Sequence, residues 1–113
     1  VFTAFLNNPD NAKYVDSIVI SGHTDSSGSV YTNRILATER ANSVLNYLLQ
    51  NGLAPYERYF CAAGYGQTRP VQSNDTDAGM AANRRIEVSM ILKDDSVLEI
   101  VDRYLAIDVP NNG

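Results

Sequence analysis

Gly22-His23-Thr24-Asp25-Ser26-Ser27-Gly28 follows directly on the apolar run Ile18-Val19-Ile20, so a buried strand delivers a short, polar, glycine-bracketed loop. A helix comes next, reading from about Asn33 to Gln50. Open α/β sheets bind ligands where strands end in this way, and a site is expected here. At roughly 100° per residue, Leu36, Ala37, Ala41, Val44, Leu45, Tyr47 and Leu48 fall on one arc of that helix, and Thr38, Glu39, Asn42, Asn46 and Gln50 face away. Arg40 falls inside the apolar arc, where a guanidinium needs a partner because burying a lone charge is costly. Asp25, just ahead of the helix, is the natural partner, and Asn33 lies on nearly the same line of the helix surface as Arg40.

Working outward, the helix stops at Asn51-Gly52, where Gly52 takes a left-handed conformation, and Pro55 follows the stop. Upstream, Val1, Phe2, Phe5 and Leu6 have helical spacing up to Asn8, and Asn7-Asn8-Pro9-Asp10 reads as a stop. Asp16 to Gly22 is the first strand, with the continuous apolar character of a central position. Since the chain opens inside a helix, the expectation is that the domain's first strand is missing. Tyr59 to Gly64 is the next strand, and Tyr65 to Gly79 is a long loop ordered around something.

From Arg85 to Leu92 the pattern alternates, with Ile86, Val88, Met90 and Leu92 on the buried side of an antiparallel strand. Arg84 shares their parity and leans toward the first loop, while Arg85 points the other way. A last helix is read from Asp95 to Ile107, and Pro110 to Gly113 is a tail. The domain accordingly spans residues 1–109, N-terminally truncated, with 110–113 as the tail.

The 113 residues are 44% apolar, enough for the core of one domain. Nine basic against thirteen acidic residues leave a net charge of −4 and no basic stripe, which argues against nucleic acid as a partner. With one cysteine and one histidine, neither a disulfide framework nor a metal site is expected, and no cofactor is implied. Cys61, in the run Tyr59-Phe60-Cys61-Ala62-Ala63, is read as core packing. No stretch reaches the ~20 apolar residues of a membrane span.

Two readings of Asp25 and Arg40 stand side by side: an internal salt bridge, or a pair shared with a ligand. A zwitterionic amino-acid head group fits the second, its carboxylate on the Arg40 fork and its ammonium on Asp25. Asn33 either caps the helix, bonds the loop or touches the ligand. Catalysis has little support, because His23 lacks a nucleophile, a second histidine or a carboxylate dyad; strand-end packing or a loop hydrogen bond suits it better. Nor is Gly22 to Gly28 a phosphate loop, since the P-loop lysine is absent.

These residues resemble the OmpA-like peptidoglycan-binding domain shared by OmpA C-terminal domains, the lipoprotein Pal and the stator protein MotB. Gly22-His23-Thr24-Asp25 with Gly28, Asn33, Leu36 and Arg40-Ala41 is similar to the first half of that family's signature. Gly64-Tyr65-Gly66, Pro70, Asn74-Asp75-Thr76, Gly79 and Asn83-Arg84-Arg85-Ile86-Glu87 resemble the second half. Ala37 and Met80 depart from the pattern, standing where the family often has a small hydroxyl residue and an arginine, and a reshaped pocket rim is expected.

The resemblance implies an α+β two-layer sandwich, a mixed β-sheet with helices on one face in βαβαβ order, here with an extra C-terminal helix. The implied function is non-covalent binding of the peptidoglycan stem peptide through its diaminopimelate residue. Asp25 and Arg40 would be the principal pair, and Thr24, Asn33 and Arg84 would contribute. Such a module would be an anchor in the cell envelope, in the periplasm or on the outer face of the cytoplasmic membrane, and not an enzyme. Alternatives are a MotB-like stator anchor, or an interaction domain with a decayed pocket forming a homodimer through the C-terminal helix.

Overall fold

The computed structural model describes residues 2–93. β1 (Val15–His23) is the middle strand of a three-stranded mixed sheet, parallel to β2 (Phe60–Gly66) on one side and antiparallel to β3 (Arg85–Leu92) on the other. The central place follows from composition: Val15, Ile18 and Ile20 are wholly buried, as an uninterrupted apolar run requires. Between the parallel strands the chain crosses over through α3 (Val30–Leu48), the βαβ connection that parallel pairing demands.

α3 begins three residues ahead of the sequence expectation, because Ser29 caps it: the serine hydroxyl accepts from the Thr32 N–H at 3.0 Å. Its end comes where Gly52 turns to φ 106°, the left-handed residue anticipated there, and a wide turn (Leu49–Leu53) leads into a single 3-10 segment (Ala54–Tyr59). Tyr59 therefore belongs to that segment, and β2 runs from Phe60 to Gly66 rather than from Tyr59 to Gly64.

The buried line of α3 is narrow, running through Asn33, Ala37 and Ala41. Leu36, Arg40 and Tyr47 lie about 60–100° round the helix from Ala37, and Arg40 and Tyr47 are exposed. The broad apolar arc expected from sequence is thus corrected. Small residues define the contact because the helix lies almost on the sheet: a β-carbon on Gly22 would sit 2.1 Å from the Ala37 carbonyl oxygen.

At the start of β1, away from the Thr24–Gly28 loop, Leu6, Val15, Ile18 and Leu53 form the main apolar cluster, flanked by Phe2, Phe5, Leu48 and Met90. Leu6 comes from α1 (Phe2–Asn7). Asn7-Asn8-Pro9-Asp10 does not stop helical structure outright but restarts it as α2 (Pro9–Ala12), with Asn8 as N-cap and Pro9 in the first turn, where its missing N–H is harmless.

Past β2 the loop ends sooner than expected, in α4 (Asp77–Asn83), capped by Thr76. What orders the loop is Asn83, fully buried: its carbonyl accepts from the Val71 and Gln72 N–H groups, and its amide donates to Gln72 O and Asn74 Oδ1. β3 follows at once. Its register sets Ile86, Val88 and Met90 opposite Gly22, Ile20 and Ile18, and Arg85, Glu87 and Ser89 opposite His23, Ser21 and Val19, as the alternation predicts. Val88 is nevertheless 42% exposed.

Cys61 pairs with Val19 and is exposed, so its reading as a core residue is corrected. Its run is apolar on both parities, yet only one parity faces α3. The helix read over residues 95–107 and the tail at 110–113 lie outside the described residues, and so does any dimer contact through that helix.

Candidate functional site

Asp25 begins the loop that leaves β1. Its carboxylate oxygen Oδ1 accepts from the Ser27 N–H at 2.8 Å, closing an Asx-type turn, and from the Ser27 hydroxyl as well. Oδ2 accepts from Arg84 Nη1 at 2.6 Å. The Ser27 hydroxyl, then Arg84, then the Ser27 N–H hold the carboxyl down to about 2 from its ordinary 3.8, so Asp25 is a carboxylate at any physiological pH.

Asn33 is buried under this loop, one turn into α3, and works as its strut. Its side-chain amide donates to Ser27 O at 2.8 Å and to Gln67 Oε1 at 2.7 Å, with Asp25 O at 3.3 Å. Of the roles open to it, loop bonding is the one adopted; the cap is Ser29. Thr24, also buried, ties the loop to β2 through its N–H, which donates to Gly66 O at 2.9 Å, while its hydroxyl donates to Asp25 O.

Arg40 is where the sequence reading needs correction. Its side chain is on the exposed flank of α3, not in the buried stripe, and it makes no ion pair with Asp25. The carboxylate is paired instead with Arg84, which does lean toward the first loop as its parity predicts. Even so, the groups converge: Thr24, Asp25 and Ser27 from the loop, Asn33 and Arg40 from α3, and Arg84 line one cleft of about 400 Å³. All five residues singled out from sequence are in it. Ala37 and Met80 are not among the lining residues: Ala37 is buried beneath Gly22, and Met80 lies in α4, where its carbonyl accepts from the Arg84 N–H.

The cleft brings two guanidiniums to one carboxylate. Arg40 has no partner among the described residues and is free to fork onto an incoming carboxylate. Among the described residues Asp25 is the only anion in the lining. The arrangement offers opposite charges side by side, chemistry suited to a charged ligand.

Ser27, Gln67 and Asn83 were missed as supports. Ser27 was legible in principle, two residues after Asp25, the spacing of an Asx turn. Gln67 was not, for its contact with Asn33 spans 34 residues of chain.

A larger cleft of about 470 Å³ opens on the opposite face of the sheet, lined in part by His23, Tyr65, Arg69, Arg85 and Glu87. Its charges are already engaged. Arg85 Nε donates to Glu87 at 2.6 Å and its terminal nitrogens donate to the Asn83 and Arg69 carbonyls, while Arg69 stacks on Tyr65 at 3.6 Å. His23 stacks on the same Tyr65 ring, 5.4 Å between centroids. Its Nε2 lies 3.3 Å from Glu87 Oε2, yet neither ring nitrogen is aligned for a hydrogen bond. Burial first, then Arg85, lower its pKa from 6.5, so the ring is a neutral packing element.

With this geometry in hand, residues 2–84 match the OmpA family. The chain belongs to that family. Among OmpA-family relatives it is 43% identical to outer membrane porin F of Pseudomonas fluorescens over 66% of this chain and 22% of the porin. It is 38% identical to the peptidoglycan-binding protein ArfA of Mycobacterium tuberculosis over 63% of this chain and 21% of ArfA. The chain thus spans about a fifth of the length of these relatives. The C-terminal domain of Helicobacter pylori MotB superposes with a TM-score of 0.61 at 26% identity, covering 81% of this chain and 71% of that domain. The mixed sheet with its helices is the fold of that domain.

Proposed function

We propose that this OmpA-family domain binds peptidoglycan non-covalently, gripping the zwitterionic end of a diaminopimelate stem peptide and so anchoring a longer envelope protein to the cell wall. The observation that carries the reading is the Arg40 guanidinium, without a partner among the described residues, sharing one open cleft with the Asp25 carboxylate. A carboxylate on Arg40 and an ammonium on Asp25 match the two charges, whereas a neutral ligand gives the Arg40 guanidinium no counter-charge. Thr24 and Asn33 serve by holding the loop that presents Asp25. The naming of ArfA as a peptidoglycan-binding protein supports the ligand class. No step of bond making is involved; the module is a binder and not an enzyme.

Calorimetry with meso-diaminopimelate and co-sedimentation with purified sacculi test this. Both Asp25→Asn and Arg40→Ala should weaken binding by more than about tenfold. Equal binding by parent and variants refutes the site.

Similarity to MotB favours a narrower second reading, a stator anchor of MotB type. Sequencing the parent gene upstream decides it: one membrane helix bearing an aspartate supports the stator, and a β-barrel or lipobox removes it. In either case the site works in the cell envelope, in the periplasm or outside the cytoplasmic membrane.

A further inference from the structure

We infer that Arg84 sets the class of stem peptide the cleft accepts, by holding Asp25 in the free protein so that a ligand offering only an ammonium is rejected. The inference rests on the stem-peptide reading above.

Both Asp25 oxygens are committed before any ligand arrives, Oδ1 to Ser27 and Oδ2 to Arg84. Around that carboxylate stand Arg84, in contact, and Arg40, in the same cleft and without a partner among the described residues. With two positive charges against one negative among the described lining residues, a lone ammonium meets a cationic cleft in which the Asp25 carboxylate is taken. A ligand that carries a carboxylate beside its ammonium enters on different terms. Its carboxylate neutralises Arg40, and its ammonium then competes for Oδ2 in a cleft whose excess charge has gone.

The two ends of the pair are built for such an exchange. Asp25 is 9% exposed by side chain and locked by its turn, whereas the Arg84 side chain is 46% exposed and can swing into water without losing its hydration. Its backbone is extended, φ −78° and ψ 92°, at the junction of α4 and β3, so the stem is anchored while the head is held by its contact with Asp25. Arg84 is thus a specificity residue acting through Asp25: diaminopimelate displaces it, and a lysine-type stem does not.

The test is calorimetry on the whole chain with two probes, meso-diaminopimelate and Nα-acetyl-lysine amide, for the parent, Arg84→Met and Arg84→Lys. In the parent, diaminopimelate should bind at least about tenfold more tightly than the lysine probe. Arg84→Met should shrink that ratio by about tenfold through tighter binding of the lysine probe, and Arg84→Lys, which keeps the charge, should retain the parent's ratio. An unchanged ratio in Arg84→Met, or equal weakening of both probes, overturns the inference. Should the parent bind both probes equally, Arg84's role falls while the stem-peptide reading stands. Should the parent bind neither, that reading falls and takes the inference with it.

Discussion

Arg84 Nη1 lies 2.6 Å from Asp25 Oδ2 across 59 residues of chain, and this contact, not one between Asp25 and Arg40, is the ion pair of the candidate site. It leaves Arg40 as the cation of the cleft without a partner among the described residues, and it joins the β1–α3 loop to the start of β3.

The Asp25 carboxyl should titrate at about 2. Its folded pKa is depressed, so the stability it contributes is fully present above its ordinary 3.8 and is lost as the pH falls from there through about 2. Carbon-detected NMR of the aspartate carboxyls checks this. In Ser27→Ala, which removes the largest cause, the midpoint should move up toward 3.8; a parent midpoint already at the ordinary value denies the contacts described.

Gly22→Ala should destabilise the fold by about 1–3 kcal/mol, the range for overpacking a tight contact. The new methyl would meet the Ala37 backbone at 2.1 Å, and a helix carbonyl cannot rotate aside as a side chain can. Urea denaturation measures it, and a change within error would show that α3 stands further from the sheet.

Asn33→Ala removes a buried amide that donates to Ser27 O and Gln67 Oε1. About 1–3 kcal/mol of stability should go with the acceptors left unpaired. Amide exchange should accelerate most in the Thr24–Gly28 loop, and diaminopimelate affinity should fall although Asn33 need not touch the ligand. Loss of affinity with loop protection intact would instead make Asn33 a direct contact.

His23, neutral and packed on Tyr65, should give the protein an acid-side weakness. Its folded pKa is depressed below 6.5, so the unfolded chain takes up a proton first, and stability present above 6.5 is lost as the pH falls through the folded value. Denaturation midpoints across that window should decline in the parent and flatten in His23→Phe. Identical slopes would assign the decline to other groups.

Much of this was readable from spacing. The apolar run Ile18 to Ile20 marked the central strand, Gly52 the helix stop, and the alternation through Ile86, Val88 and Met90 the face of β3 and the direction of Arg84. Such features are legible because they depend on periodicity and on backbone conformations few residues adopt. The same logic misplaced Arg40, Tyr47 and Cys61, since periodicity reports which residues share a side and not how much of that side is covered.

By itself, then, the sequence determined the order of the three strands and the long helix between the first two, the loop where charge gathers, and the residues that gather there: Thr24, Asp25, Asn33, Arg40 and Arg84. Tertiary structure alone decided which cation holds Asp25, which is left open to a ligand, and which asparagine is a strut. Pairing is settled by distance in space, and a contact across 59 residues depends on the register of β3 against β1, which no local pattern encodes.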